Sequence, residues 1–184
     1  MKAMIRCAAL AGVALFLGAT VSPANAAPWT FTKAEAVSQA RPAASPAQAM
    51  DALVFEAGSS GAEGSKLTRM AFKIYGAMKP GNLSNFQLVY FPDGIGMPGV
   101  VVGRNDGSTW APGARSTIIE IAFAEPLAVS VNFKGQFALR ADVDGAPAFF
   151  TSELRTVTVA SAGVEQPVTD TGDLPLRGDT FKVN

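Results

Sequence analysis

The sequence predicts an all-β fold, an antiparallel β-sandwich of the Ig-like or jelly-roll-like kind with about eight to nine strands and an extended N-terminal segment. Three observations predict it. Apolar and polar residues alternate with a period of two over most of the chain. Gly, Pro, Asn and Asp residues separate these alternating stretches at short intervals. No stretch of useful length places apolar residues at the spacing of a helix face.

Residues 1–26 have the pattern of a signal peptide for secretion. Lys2 and Arg6 precede an apolar run, Cys7 to Val21, that is short for a membrane span, and small residues up to Ala26 suit a signal peptidase. The alternative is a retained N-terminal anchor helix. We expect cleavage after Ala26 and a secreted protein, extracellular, at the cell surface or periplasmic, with no membrane span in the mature chain.

The residue composition excludes several kinds of chemistry. The chain has no histidine, the commonest metal ligand and general base, and its one cysteine, Cys7, leaves with the signal peptide. Disulfides, Cys–His or Ser–His catalysis and zinc or iron–sulfur ligation therefore have no residues to build on. Thirteen basic and fifteen acidic residues remain after cleavage, which gives no electrostatic reason to expect nucleic-acid binding. We expect a protein that is not an enzyme and needs no cofactor.

Residues 27–50 are predicted to form an N-terminal segment before the main domain. Trp29 and Phe31 alternate with threonines as in a short strand, and an Ala- and Pro-rich linker follows up to Met50. A tethered strand can complete an exposed sheet edge, by default in its own domain, or alternatively in the next subunit, which would build a filament. Trp29 and Phe31 are therefore candidate residues for binding a partner.

The β-sandwich domain is predicted over residues 51–184. The turn signal Pro92-Asp93-Gly94 separates two strands, and Pro126 predicts a bend or an edge position. The alternating stretches predict strands at 53–57, 66–77, 85–91, 99–103, 117–123, 127–133, 136–143, 153–161 and 180–183. Their inward-facing residues are predicted to include Met70, Phe72, Ile74, Ile119, Ile121, Phe123, Leu127, Val129, Val131, Phe133, Phe137, Leu139, Ala141 and Val143.

Several strand and turn features follow one another in a fixed order: VFEAG, a small polar loop, LTRMAFKIYG, NLSNFQLVYFPDG and, later, APGARSTIIEI and FALRADVDG. In this order they resemble β-sandwich modules of secreted bacterial surface proteins of an S-layer-like or adhesin-like kind. The resemblance covers about residues 51–183 and implies a fold and a compartment, with no functional residues carried over. We therefore expect a single such module in this chain, without a wall anchor.

These observations together lead us to expect a secreted, non-catalytic structural or adhesive protein of the cell surface or extracellular matrix. Its partners would be other proteins or further copies of itself, paired through edge strands. The alternative is a periplasmic or extracellular module that binds a ligand such as a carbohydrate. Trp110, among turn residues, is the candidate for stacking on a sugar ring or contacting a partner, unless it folds over the end of the sandwich.

Asp142 and Asp144 open the stretch ADVDGAPAFFTSE, which places carboxylates at positions one, three and twelve as a calcium loop does. Ala146 and Pro147 occupy the positions at which such a loop has a ligand and a glycine, and the flanking residues are strand-like. We interpret the stretch as a turn between two strands, with a weak surface calcium site as the alternative.

Two short motifs occur near the C-terminus. Asp170-Thr171-Gly172 is the triplet of aspartic proteases, which need two such aspartates side by side, but the triplet occurs once and only twelve residues follow it. Arg177-Gly178-Asp179 is the integrin-binding tripeptide, which also arises by chance. We interpret both motifs as turn residues next to the last strand.

Overall fold

The structure, a computed structural model, describes residues 29–34, 47–76, 82–107, 114–144, 148–169 and 171–183. These residues form ten strands and no helix. The strands are β1 (Trp29–Lys33), β2 (Ala47–Ser59), β3 (Lys66–Gly76), β4 (Leu83–Phe91), β5 (Val100–Asn105), β6 (Ser116–Ala128), β7 (Phe133–Val143), β8 (Ala148–Ser161), β9 (Val164–Pro167) and β10 (Leu176–Val183). The described part of the chain contains no helix that is long and apolar enough to cross a bilayer.

All ten strands pair antiparallel in one sheet, in the order β1-β2-β7-β4-β5-β6-β3-β8-β10, with β9 also paired to β8. The sheet is strongly curled, as shown by the contact between β1 and β10, the strands at its two ends. The predicted all-β, antiparallel class is confirmed. A sandwich of two sheets stays a prediction, since Gly103 on β5 pairs with Phe123 on β6 and joins the two halves of the strand order.

The concave side of the curled sheet holds the core. Phe55 on β2 lies with its ring centroid 6.2 Å from that of Phe72 on β3 and 5.6 Å from that of Phe137 on β7. β2 and β7 are neighbours, whereas β2 and β3 lie far apart in the strand order, so the contact between Phe55 and Phe72 packs the two halves of the sheet against each other. The predicted inward-facing residues that are buried are Met70, Phe72, Ile74, Ile119, Ile121, Phe123, Val129, Phe133, Phe137, Leu139, Ala141 and Val143, while Leu127 is partly buried.

The prediction that Val131 faces inward, in a strand over 127–133, is wrong. β6 continues from Ser116 to Ala128, and residues 131–132 form the turn into β7, where Asn132 has a φ of 56°. A turn residue has no neighbouring strand to cover it, and Val131 is 53% exposed. The strand continues through Pro126 because its pairing with β3 is interrupted there, where residues 123–126 lie opposite the single β3 residue Thr68, so this ladder needs no N–H from the proline.

The outer side of β2, β7 and β4 also buries apolar residues that alternation alone would place in solvent. Val54, Val89, Phe91 and Ala138 form this second cluster. The turn after β4 folds back over it, and Ile95 and Val101 pack against it. At Gly99, an added Cβ would lie 2.5 Å from Val89 Cγ1, so the backbone of that segment lies directly on the cluster.

Strand β2 begins before Asp51, where the main domain is predicted to start, and the domain boundary itself stays a prediction. β2 begins at Ala47, inside the predicted linker, because its pairing with β7 extends back to Ala47 opposite Val143. β1 packs into the same core, so the N-terminal strand belongs to this fold in the structure. Ladder pairing to a long partner strand outweighs the low β-propensity of the Ala-rich residues that start β2.

Candidate functional site

β1 lies at one end of the sheet, and its two aromatic residues point into the core. It pairs antiparallel with β2 over all five of its residues. Trp29 and Phe31 are 5% and 2% exposed. The Trp29 ring lies edge-on to Phe133, with 6.2 Å between the ring centroids. Because side chains alternate along a strand, both rings occupy the inner face and anchor an otherwise short element.

Two aspartates hold the edge of β1 that faces away from β2. The backbone N–H of Phe31 donates to Oδ2 of Asp173 at 3.0 Å. Lys33 Nζ forms an ion pair with Asp179 on β10. An open strand edge is a template for pairing with other chains, so these contacts partly close this one. We call β1 together with residues 173–179 the seam.

Asp179 reaches Lys33 because β10 is irregular at this point. Its pairing with β8 shifts register between Arg177 and Thr180, and a bulge of this kind redirects side chains. A Cβ added at Gly178 would lie 3.0 Å from Leu53 Cδ1, so the backbone here lies close against β2. The Arg-Gly-Asp tripeptide is therefore part of the seam, and its aspartate is engaged by Lys33.

Asp142 and Asp144 lie where β7 ends, and both make contacts with residues at the start of β4 or just before it. Oδ2 of Asp142 accepts a hydrogen bond from Asn85 Nδ2 at 2.9 Å. The Asp144 backbone N–H donates to the Asn82 carbonyl at 2.8 Å, and Asn82 Nδ2 donates to the Asp144 carbonyl at 2.5 Å. Within the described residues no three His, Cys, Asp or Glu side chains group as metal ligands. The surface calcium site stays a prediction.

Glu153, the twelfth residue of the calcium-like stretch, lies in the middle of β8 and is 7% exposed. Its carboxylate accepts a hydrogen bond from the Tyr75 hydroxyl at 3.1 Å and one from Arg155 Nη1 at 2.6 Å. The hydrogen bond to Glu153 raises the pKa of the Arg155 guanidinium above its ordinary value, and the charge of Glu153 acts in the same direction. This carboxylate is used to hold neighbouring strands together.

A groove opens where β5 and β6 diverge. The two strands pair at Gly103 and Phe123. Beyond that pair lies a cavity of about 460 Å³. Its lining residues are mostly apolar; they are Tyr90, Pro92, Val100, Val101, Val102, Ala124, Glu125, Pro126, Leu127 and Ala128. We call it the β5–β6 groove. Its size and apolar walls suit a small apolar ligand or an apolar side chain.

The sequence-predicted contact residues have different outcomes. Trp29 and Phe31 lie together in the core of their own chain, as expected by default for a tethered strand. Their pairing with a next subunit stays a prediction. Trp110 and Asp170 lie outside the described residues.

Sequence reasoning missed the two aspartates of the seam and the groove. Asp173 and Asp179 are separated from β1 by more than 140 residues, and no local pattern marks such a pairing. For the groove, the available signal was Pro126 in the middle of an alternating stretch, because a proline there demands a break in the ladder. Only the bend was predicted from it.

No family model matches the chain, and no curated protein matches it. Among solved structures the chain is similar to a DUF4466 family protein from Parabacteroides merdae ATCC 43184, with 12% sequence identity and a TM-score of 0.41. The similarity covers 86% of this chain and 45% of that one, so the chain spans less than half the length of that protein.

Proposed function

We propose that this protein is a secreted, non-catalytic structural or adhesive protein of the cell surface or extracellular matrix, a β-sandwich module that assembles by pairing edge strands. The seam is the observation that carries this proposal. There the outer edge of the terminal strand β1 is met by an aspartate and an ion pair, while its other edge has a full ladder. These contacts close the outer edge of β1 only in part, because β1 has no ladder on that side within the described residues, and a strand edge without a ladder is a place where assembly can start.

The use of the acidic side chains supports a role without catalysis. Glu153 holds Tyr75 and Arg155, and Asp179 holds Lys33, so these carboxylates act within the fold. Acid–base catalysis with Asp and Glu alone would need two of them facing a reacting group. The lining of the β5–β6 groove includes one carboxylate, Glu125.

The assembly state of the secreted protein tests this function. We expect size-exclusion chromatography with light scattering to show oligomers that grow with protein concentration, and electron microscopy to show their form. Mass spectrometry of the secreted protein should place its N-terminus at Ala27. A monodisperse monomer at every concentration contradicts the assembly, and retention of residues 1–26 contradicts the secreted, processed form.

The β5–β6 groove favours a second candidate function, a ligand-binding module. Its walls are mostly valine, proline, alanine and leucine, so an apolar ligand fits the lining better than a bare sugar does. A carbohydrate ligand would rest on Trp110. A glycan array that compares the wild-type protein with Trp110→Ala separates the two ligand classes, because only a sugar bound by this ring loses signal.

We expect the groove to bind a fluorescent probe with an apolar ring system, such as the anion 1-anilinonaphthalene-8-sulfonate. Val100 lines the groove and is 57% exposed, so Val100→Glu should weaken probe binding without unfolding the protein. Val131→Glu is the matched control, because Val131 is 53% exposed in a turn and is absent from the groove lining. Equal probe binding by both variants would remove the groove as a ligand site.

A further inference from the structure

We propose that the surface on which β1 lies is also the docking site for β1 of a second copy of this chain, so that assembly proceeds by exchange of the terminal strand. This surface consists of the edge of β2 from Phe55 to Ser59 and residues 173–179. The inference rests on the proposed function and names its partner, a second copy, and its contact surface.

The contacts that β1 makes within its own chain are the ones that β1 of a second copy would make at the same surface. The strand brings two aromatic side chains for the core, a ladder to β2, the Phe31 N–H for Asp173 and the Lys33 ammonium for Asp179. The positive charge of Lys33 complements the negative charges of Asp173 and Asp179 on the receiving surface. β1 of another copy makes the same contacts, so exchange gives up none of them and costs little.

The length of the covalent connection permits the exchange. Ala34 lies beside Val54, since its N–H donates to the Val54 carbonyl at 3.1 Å, and β2 begins at Ala47. Along β2 the distance from residue 54 back to residue 47 is about 23 Å, at roughly 3.3 Å per residue. The thirteen steps from residue 34 to residue 47 span up to about 43 Å when extended. The extended connection is therefore longer than the distance that it has to cover when β1 pairs with its own β2. This spare length leaves β1 room to reach the β2 edge of a second copy.

The seam aspartates would set the rate of exchange. β1 must leave its own chain before it can join another, and leaving breaks the contacts with Asp173 and Asp179. The same contacts form again in the exchanged dimer, so their strength affects the barrier and leaves the final proportion of dimer nearly unchanged. We therefore expect Asp173→Ala, which removes the acceptor of the Phe31 N–H, to speed up exchange several-fold, with nearly the same proportion of dimer at equilibrium.

Cysteine pairs test the exchange directly. Thr32 lies opposite Glu56 in the ladder, and both side chains lie on the outer, more exposed face. Two preparations of the full chain are made, one with Thr32→Cys and one with Glu56→Cys. Both also carry Cys7→Ser, so that the introduced cysteine is the only one in each chain. We expect a disulfide-linked dimer of the two chains after mixing and mild oxidation, several-fold above the amount formed when Glu120→Cys replaces Glu56→Cys. The double variant Thr32→Cys, Glu56→Cys reports pairing within one chain.

A charge exchange at the seam gives a second, independent measurement. Lys33→Asp and Asp179→Lys each place like charges at the seam of their own chain. After mixing, exchange restores opposite charges at both seams, so native mass spectrometry should show more mixed dimer than dimer of either variant alone. The double variant Lys33→Asp, Asp179→Lys is the control, because its own seam again joins opposite charges.

The outcomes separate this inference from the proposed function. Strand exchange is overturned by two results together. The Thr32→Cys and Glu56→Cys chains would form no more disulfide-linked dimer than the Glu120→Cys control does, and the Lys33→Asp and Asp179→Lys chains would form no more mixed dimer than dimer of either variant alone. If the wild-type protein still assembles in that case, the proposed function stands and another edge carries the assembly. A wild-type protein that never assembles overturns both.

Discussion

Tyr90 illustrates how a single side chain in the β5–β6 groove responds to its surroundings. Its ring packs against that of Phe137, with 5.2 Å between the centroids, and the residue also lines the groove. Burial raises the pKa of the Tyr90 phenol above its ordinary value, and the charge of Asp93 raises it further. Both effects disfavour the phenolate, so the folded protein holds this proton more tightly than the unfolded chain does.

The sign of the resulting pH dependence follows from linkage. The unfolded phenol loses its proton near pH 10, before the folded one does, so Tyr90 contributes stability that is present below about pH 10 and is lost as the pH rises through the folded pKa. We expect the free energy of unfolding of the wild type to fall, relative to that of Tyr90→Phe, only above this pH. Urea unfolding from pH 8 to pH 11 measures it. A difference between the two proteins that stays constant over this range contradicts the prediction.

β1 is the element whose contribution to stability is easiest to isolate. Phe31 is 2% exposed, and Phe31→Ala should lower the free energy of unfolding by about 3–5 kcal/mol, as for other buried phenylalanines. Thr32→Ala on the exposed face of the same strand is the matched control and should change it by less than about 0.5 kcal/mol. Urea unfolding of both variants gives the comparison. Equal effects would mean that β1 does not belong to the core in solution.

The elements also show what local sequence can predict. Alternation identified the inner faces of strands such as β3 and β7, because a period of two directly reflects which side is buried. Alternation failed at Val131, where a turn interrupts the ladder, and at Val89 and Ala138, where a neighbouring segment covers the outer face. Strand order and the seam depend on contacts between residues far apart in the chain, and a local pattern contains no information on those.

For the whole molecule, the continuity of the sheet depends on a close approach between β5 and β6 at Gly103. A Cβ added there would lie 2.4 Å from the Ala122 carbonyl oxygen and 2.6 Å from Ile121 Cγ2. The carbonyl oxygen belongs to the backbone and cannot rotate away, so any larger residue must push β5 and β6 apart. Glycine is thus required where the two halves of the strand order are joined.

We therefore expect Gly103→Ala to lower the free energy of unfolding by about 1–3 kcal/mol, the usual cost of overpacking. Hydrogen–deuterium exchange should also become faster at the amides of β5 and β6, because the only ladder pair between these strands in the described part of the chain is disturbed. Gly58→Ala is the matched control. Its added Cβ would lie 2.7 Å from Thr30 Oγ1, a side-chain atom that can rotate away, so its loss of stability should be smaller. Equal losses, or unchanged exchange in β5 and β6, would show that the two halves are held together by the core alone.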